Sequence, residues 1–576
     1  MQTTLSKRNG VFAVILLILA VAAGWWLLTP QEGVYRGRPV SFWVRQLQIT
    51  QIGQKNDTLD VLLNIGPDCL PTLATELQTR DGFITKGWQK LWPKLPVNLR
   101  KILPQPSSGT DRRATAAWAL GQIGPAARPT TPVLVMALGD SEDRVRAEAA
   151  HALRWLGTRT PEVITALARC LSDQAPMVRS WAAEGLWNMA PESQGALPAL
   201  IQLLGAPDLA YHSALCMQEL GPLASNAVPA LIEVVHRGAA GRPLNWKFPM
   251  AVGANGIPGD KDPSAHNRAM AAKALGKISV ANSEVIETLQ AALSYPPTLE
   301  GVPGRRRPWV RQNAAEALGL LSTNAIKAIP ALVQALDETD PRTLQEIALA
   351  LGAMGFYARS ALPLLTNLLG ELPELFAARA GIGDDRKWEL YWLRGAVARA
   401  IAQIDNTDKA SLAVMFEHAD SDAIARRFLA GLGSKASQFV PELTRKLART
   451  NGQPQAATAE LLWHIDPNNA AIVPALKQVM QYTNSAMRAY AAYWYWRATG
   501  DAETTIKVIV AGLEEPPSNS SQMFPQWLGQ MEAAARPAVP ALMKALWHHN
   551  IYARRNAGKA LEKVDAAALD GLKPRN

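Results

Sequence analysis

The sequence predicts an all-α protein, an α-α superhelix of stacked helical pairs preceded by one N-terminal transmembrane helix. Three observations carry this expectation. Two short helical patterns alternate along most of the chain at a spacing near 33 residues. Prolines and glycines number 40 each, too many for long uninterrupted helices but suited to short ones joined by turns. Residues 11–29 form a run without a single charge.

In chain order the uncharged run comes first: VFAVILLILAVAAGWWLLT. As a helix it would span about 28 Å, close to the ~30 Å hydrocarbon core of a bilayer. Lys7 and Arg8 precede it with no acidic residue, so the positive-inside bias holds the N-terminus in the cytoplasm and sends the bulk across. Residues 1–30 are accordingly read as a cytoplasmic tip and signal-anchor, and the rest as extracytoplasmic. A cleaved signal peptide, cut near Ala20-Val21-Ala22, is the competing reading. Trp25 and Trp26 favour the anchor, because paired tryptophans suit the far membrane interface. Residues 31–58 follow as a juxtamembrane linker. Residues 59–112 read as an atypical capping repeat and a basic insertion.

From residue 113 to 576 the repeat dominates. Its first pattern appears in RATAAWALGQIG (113–124), VRAEAAHALRWLG (145–157), VRSWAAEGLWNMA (178–190) and VRQNAAEALGLL (310–321), with Arg113, Arg146 and Arg179 each 33 residues apart. Numbering Val145 as place 1, the apolar residues Val145, Ala149, Ala152, Leu153 and Leu156 make a one-sided stripe. Gly157 then suits a helix stop. The second pattern appears in ALPALIQLL (196–204), AVPALIEVV (227–235), AIPALVQAL (328–336) and AVPALMKAL (538–546). Its proline falls in the first helical turn, where the missing N–H breaks no hydrogen bond. No unit buries its apolar face alone, so the pattern predicts a solenoid with one continuous core.

These two helices resemble HEAT repeats, particularly the short form named after the phycobilisome lyases. The resemblance covers most of residues 110–566 and, weakly, 59–78, where IGPDCLPTLATEL reads as a partial capping unit. It implies a HEAT-like solenoid and says little about function, because this repeat serves many unrelated tasks. The segment VYRGRPVSFWVRQL (34–47) also resembles a stretch found ahead of helical repeats in large exported or membrane-anchored bacterial proteins.

Insertions break the period at 237–265, 295–308 and 371–389. In a solenoid such insertions emerge as loops on one face, either as a binding feature or as tolerated length variation.

The arginine at place 2 recurs as Arg113, Arg146, Arg179, Arg268, Arg311, Arg394, Arg488 and Arg554. By the resemblance it pairs with acidic residues between helices and stitches neighbouring repeats together, with Asp143 and Asp173 as expected partners; a basic binding stripe is the competing reading. Tryptophan is abundant, at 18 residues. Trp181 and Tyr490 fall at place 4, Trp118 and Tyr493 at place 7, Trp187, Trp463 and Trp496 at place 10, and Trp155 at place 11. These places lie roughly 140° from the centre of the apolar stripe. By the resemblance this helix lines the concave side, so the eight aromatics are expected to line a groove that anchors a peptide or glycan. Mutual packing on a tight inner curve is the alternative.

The formal charge of +10 is partly local: residues 79–113 hold eight Lys/Arg against Asp81 and Asp111. For an exported chain this points either to a solvated basic loop without a partner or to anionic lipid headgroups or acidic envelope polymers, and no nucleic-acid partner is expected. Three cysteines (Cys69, Cys170, Cys216) make no disulfide framework or zinc site. No metal, cofactor or catalytic residues are expected: His548-His549 lack helical ligand spacing, and Gly253–Gly259 lacks the Gly-Lys-Ser/Thr of a P-loop. The expected function is therefore a membrane-tethered scaffold that binds a protein. An envelope glycan or polyanion binder is the first alternative, and an enzyme on a HEAT-like scaffold the second.

Overall fold

The computed structural model describes residues 34–47, 57–80, 87, 90–96, 108–206, 209–236, 263–295, 310–338, 340–378, 384–405, 408–419, 422–516 and 519–570. Among them no helix is long and apolar enough to cross a membrane. The expected transmembrane segment 11–29 lies outside the described residues, as do 237–262, 296–308 and 379–383 of the expected insertions.

The chain begins with a two-stranded ribbon, β1 (Val34–Tyr35) and β2 (Arg38–Pro39), antiparallel with Tyr35 opposite Arg38. It leads into α1 (Val40–Arg45), whose Trp43 Nε1 donates to the Tyr35 carbonyl at 3.1 Å. Then α2 (Asp57–Ile65) and α3 (Leu70–Leu77) form a helical pair that packs on the repeats beyond. Glu76 of α3 ties this pair to the first repeat by accepting from Arg112 Nε at 2.7 Å.

Among the described residues, twelve helical pairs, one further helix and a short final helix at Ala567–Asp570 follow. The first four pairs are α4 (Gly109–Ile123) with α5 (Thr131–Ala137), α6 (Asp143–Leu156) with α7 (Pro161–Cys170), α8 (Pro176–Asn188) with α9 (Leu197–Leu203), and α10 (Ala210–Leu220) with α11 (Val228–His236). The middle pairs are α12 (Pro263–Ile278) with α13 (Ser283–Leu293), α14 (Val310–Leu321) with α15 (Ile329–Gln334), α16 (Pro341–Ala353) with α17 (Leu362–Ala378), and α18 (Asp384–Ile404) with α19 (Lys409–His418). The last are α20 (Ala423–Leu432) with α21 (Val440–Arg449), α22 (Gln453–Ile465) with α23 (Ile472–Val479), α24 (Ser485–Thr499) with α25 (Ala502–Glu514), and α26 (Met523–Gln530) with α27 (Val539–Ala545). Helix α28 (Ile551–Val564) closes the array.

The stripe read from the sequence is the core. Val145, Ala149, Ala152, Leu153 and Leu156 of α6 are all fully buried. In many repeats a short 3-10 segment, opened by a residue at positive φ, joins the first helix to the second. Gly124 (φ 75), Gly221 (φ 55) and Gly355 (φ 58) take that position without steric cost, whereas Ser322 (φ 52) and Glu532 (φ 48) take it with a Cβ. The proline of the second pattern sits in the first turn of α9, α15, α21 and α27, as its ring requires.

Successive first helices press together. A Cβ on Gly276 of α12 would lie 2.5 Å from the Cα of Ala317 in α14. The second helices touch their counterparts at few points. A stack that is tighter on one side curves toward that side, so the first helices line the concave face.

Residues 371–378, expected as part of an inserted loop, instead continue α17, and 384–389 open α18. Their Glu, Leu and Ala content favours helix, so the extra length is taken up as additional turns.

The array closes on itself. The forward side of α28 packs against the 3-10 segment that follows α4. Gly558 fits there against Pro125, where a Cβ would lie 2.7 Å from the proline ring. Arg128 pairs with Glu562 across this seam, and Asp60 Oδ1 lies 3.1 Å from His549 Nδ1.

Candidate functional site

The arginines at place 2 turn out to be the mortar between repeats. Arg146 forks onto Asp173 (Nε–Oδ2 2.7 Å, Nη2–Oδ1 2.9 Å), while its Nη1 donates to the carbonyls of Asp140 and Ser141 at 2.9 and 3.1 Å. Arg113 forks in the same way onto Asp140 at 2.7 and 3.0 Å. Each aspartate therefore serves two arginines, its carboxylate holding one repeat's and its main-chain oxygen the next repeat's. Arg179 Nη1 donates to the Asp173 carbonyl at 3.0 Å. The expected partner Asp143 is displaced by Asp140, because the acceptor must lie in the turn that precedes the next first helix. Arg311–Glu338 and Arg488–Glu515 repeat the pair at the same separation of 27 residues. At the corresponding place the Arg268 guanidinium lies 4.8 Å from the ring centre of Tyr295. The Arg146 guanidinium is the leading influence holding Asp173 below its usual carboxylate range. These arginines are structural.

The eight aromatics are not a uniformly open groove. Trp118, Trp155 and Tyr493 are buried at 4%, 3% and 7% exposure, contrary to the expectation that they stand clear of the core. Adjacent first helices approach so closely that a ring pointing away from its own stripe is covered by the neighbouring helix. Trp181, Trp187, Trp463, Tyr490 and Trp496 are half-buried against the core. Six of the eight fall into two clusters, and Trp118 and Trp187 stand outside both.

The first cluster is built across the seam. Trp155 Nε1 donates to His151 Nε2 at 3.0 Å, which assigns the His151 proton to Nδ1, and burial pushes that ring down to about 4. His151 in turn lies 4.4 Å, centre to centre, from Trp181. Asn550 caps α28 by accepting from the N–H groups of Tyr552 and Ala553. That start places the Tyr552 ring 6.0 Å from Trp155. Two guanidinium groups lie over the Trp155 ring: Arg154 at 5.2 Å and Arg555 at 5.6 Å from its centre. Arg154 Nη1 is paired with Glu184 Oε2 at 2.5 Å. Burial works against the Glu184 carboxylate, but His212, Arg154 and His151 around it outweigh that and hold it below its usual range.

The second cluster lies on α22, α24 and α26. Trp463 and His464 face Trp494 at 5.6 and 5.3 Å, and Tyr493 lies 4.8 Å from Trp527 and 5.8 Å from Trp496. Tyr490 donates its hydroxyl to Glu460, which also accepts from Arg426 Nε at 3.1 Å. Arg497, exposed, lies 4.9 Å over Trp463.

Sequence reasoning missed His151, Trp494, Trp527 and Tyr552. Trp494 falls at place 8, a stripe position, and it is indeed buried. Nothing local signals Tyr552, because its partner lies across the seam. Among the described residues no cluster of His, Cys, Asp or Glu is suited to a metal ion. The three cysteines are free and buried.

Among solved structures, the chain is similar to importin beta at 13% identity and a TM-score of 0.41, over 91% of this chain and 82% of that one. It is similar to Kap121p bound to Pho4p at 11% identity and a TM-score of 0.42, over 94% and 69%. It is also similar to the CpcE–CpcF complex of phycocyanin lyase from Nostoc sp. PCC7120, at 19% identity and a TM-score of 0.25, over 50% and 91%. No curated protein matches the chain significantly. A family model described as HEAT repeats matches residues 98–187 and 295–382, so the chain carries HEAT repeats in both stretches.

Proposed function

We propose that this chain is a scaffold that holds a partner protein on the concave face of its repeat array, beside the seam. The observation that carries the reading is the meeting of Trp155 with Tyr552, at 6.0 Å, on two helices from opposite ends of the array. An aromatic and cationic surface assembled by closure is preorganised, so a partner pays little ordering entropy on docking there. In this reading the chain does no chemistry of its own. Residues 11–29 tether it to a membrane with the array on the extracytoplasmic side, supported by the uncharged run behind Lys7 and Arg8.

The test is photo-crosslinking in native membranes, with a benzophenone amino acid replacing Tyr490 or Trp187 in the full chain. A discrete adduct with one partner is expected from both positions, and none from Met136, which is 70% exposed on the convex α5. Equal crosslinking from Met136 contradicts the concave-face reading. Extraction of the full chain by carbonate, or its protection from protease added outside the cell membrane, contradicts the tether and orientation.

A further inference from the structure

Closure of the array gathers more positive charge at the seam than it neutralises. Arg154 is matched by Glu184 at 2.5 Å, Arg159 by Glu192 at 3.2 Å, and Arg128 by Glu562. Two cations brought in by α28 have no such match among the described residues. Arg555 reaches a neutral acceptor, Asn188 Oδ1, at 2.5 Å and otherwise faces the Trp155 ring. Lys559, one helical turn further along, is exposed and forms no ion pair among the described residues. Glu562, the carboxylate that acts on it, is already engaged by Arg128.

The charges also crowd one another. Burial lowers Arg555 from its usual value, and Arg154 and Arg159 lower it further. Burial and then Arg555 and Arg159 do the same to Lys559. Such crowding costs Coulomb energy that an incoming anion relieves. Beside the two cations stand the faces of Trp155 and of Tyr552, the latter 45% exposed.

We propose that the seam binds an acidic segment of a partner protein, with Arg555 and Lys559 meeting two of its carboxylates and Tyr552 meeting an adjacent apolar side chain. A guanidinium beside a ring and without a carboxylate partner among the described residues is free to make a forked carboxylate contact, and the ammonium four residues on reaches a second acid. Among the described residues few cations here are uncompensated, and Glu184, Glu192 and Glu562 stand close behind Arg555 and Lys559. A polyphosphate chain, charged at every unit, would run onto those carboxylates, whereas a segment with two acids spaced to Arg555 and Lys559 brings no further charge toward them. A second copy of this chain, at +10, lacks the complementary charge.

This proposal rests on the scaffold reading and is separable from it. The probe is a fluorescein-labelled dodecapeptide of alternating Glu and Leu, titrated with the full chain by anisotropy. A Lys/Leu peptide, inorganic phosphate and a twelve-nucleotide oligothymidylate serve as competitors. Lys559→Gln, at an exposed position, and Arg555→Gln are each expected to weaken the Glu/Leu peptide about tenfold. Lys507→Gln, on the exposed i,i+4 pair with Glu503, is expected to leave it unchanged. Arg555→Lys, which keeps the charge and loses the fork, is expected to bind between the wild type and Arg555→Gln, which separates charge loss from misfolding. Unchanged binding in Lys559→Gln overturns the proposal. Competition by phosphate or the oligonucleotide as strong as by unlabelled peptide makes the site a general anion site and overturns the acidic-segment assignment. Lost peptide binding with the Tyr490 crosslink intact in the wild-type chain overturns this proposal alone. Loss of the crosslink overturns the scaffold reading.

Discussion

Arg554 donates through Nη2 to the main-chain oxygen of Gln122, a residue 432 positions earlier in the chain. Its Nη1 donates to the carbonyls of His548 and His549, as Arg146 does to the carbonyls of its own preceding turn. The difference lies in the forward partner. Arg146 reaches the carboxylate of the next repeat, and Arg554 reaches the end of the first repeat's inner helix. Burial pushes Arg554 down to about 9, so this charge is held where water does not reach it. One residue type at one place thus joins repeat to repeat and, at the last repeat, end to beginning.

Replacing Arg554 by Met removes the donor from three carbonyls in a site where the side chain is 1% exposed. The expected cost is about 3 kcal/mol, the range for an emptied buried charge site. The expected shape change is an opened array, seen as a larger radius of gyration in solution scattering. An unchanged radius with lowered stability would show that other contacts hold the seam.

The ladder carries a pH signature. Asp173 titrates below its ordinary value, held there first by Arg146. A depressed carboxyl stabilises the fold above its unfolded pKa of about 4 and loses that contribution as pH falls through the lower folded value. With side chains 17% and 13% exposed, the Arg146–Asp173 pair lies between the surface and buried limits. Asp173→Asn should therefore cost about 2 kcal/mol at pH 7 and progressively less below pH 4, measured by denaturant unfolding.

Glu148 behaves in the opposite sense. Burial raises it from 4.5 to about 7, opposed weakly by Arg144, with His151 Nδ1 3.8 Å from its carboxylate. Between those values the folded state holds a proton that the unfolded state has released, so stability falls as pH rises toward 7 and stays lowered above it. Glu148→Gln should match the wild type near pH 4.5 and exceed it by on the order of 3 kcal/mol at pH 8. A gap that does not change with pH contradicts the assignment. His151, which titrates the other way, is common to both proteins.

Glu532 occupies the positive-φ position (φ 48) that Gly124, Gly221 and Gly355 fill in other repeats. Glu532→Gly removes the Cβ strain of the left-handed region and is expected to raise stability by about 1 kcal/mol, read as an increased melting temperature.

What the sequence could reveal depended on range. The α6 stripe from Val145 to Leu156 was legible because burial on one's own repeat follows the helical period alone. The arginine ladder was legible as a spacing, but its acid was displaced from Asp143 to Asp140, since a period does not say which turn residue faces the preceding repeat. The aromatics show the limit. The angle of Trp118 or Tyr493 from its stripe describes one helix, and burial in a stack is set by how near the next helix comes. The contact at Gly276 shows how near that is. The Trp155–Tyr552 and Arg555–Asn188 pairs exist only because small rotations between repeats accumulate until the ends meet, and no local pattern encodes that sum.

The most direct measurement of this closure is the distance between its two ends. Nitroxide labels at Met136→Cys and Lys563→Cys, both exposed and clear of the seam contacts, suit pulsed dipolar spectroscopy, because Cys69, Cys170 and Cys216 are buried. A closed array predicts one narrow distribution under about 40 Å, the reach of a few helical turns and two label arms. An open stack of repeats spaced roughly 10 Å apart would place the ends on the order of 100 Å apart, and a broad or unmeasurably long distribution would contradict the ring.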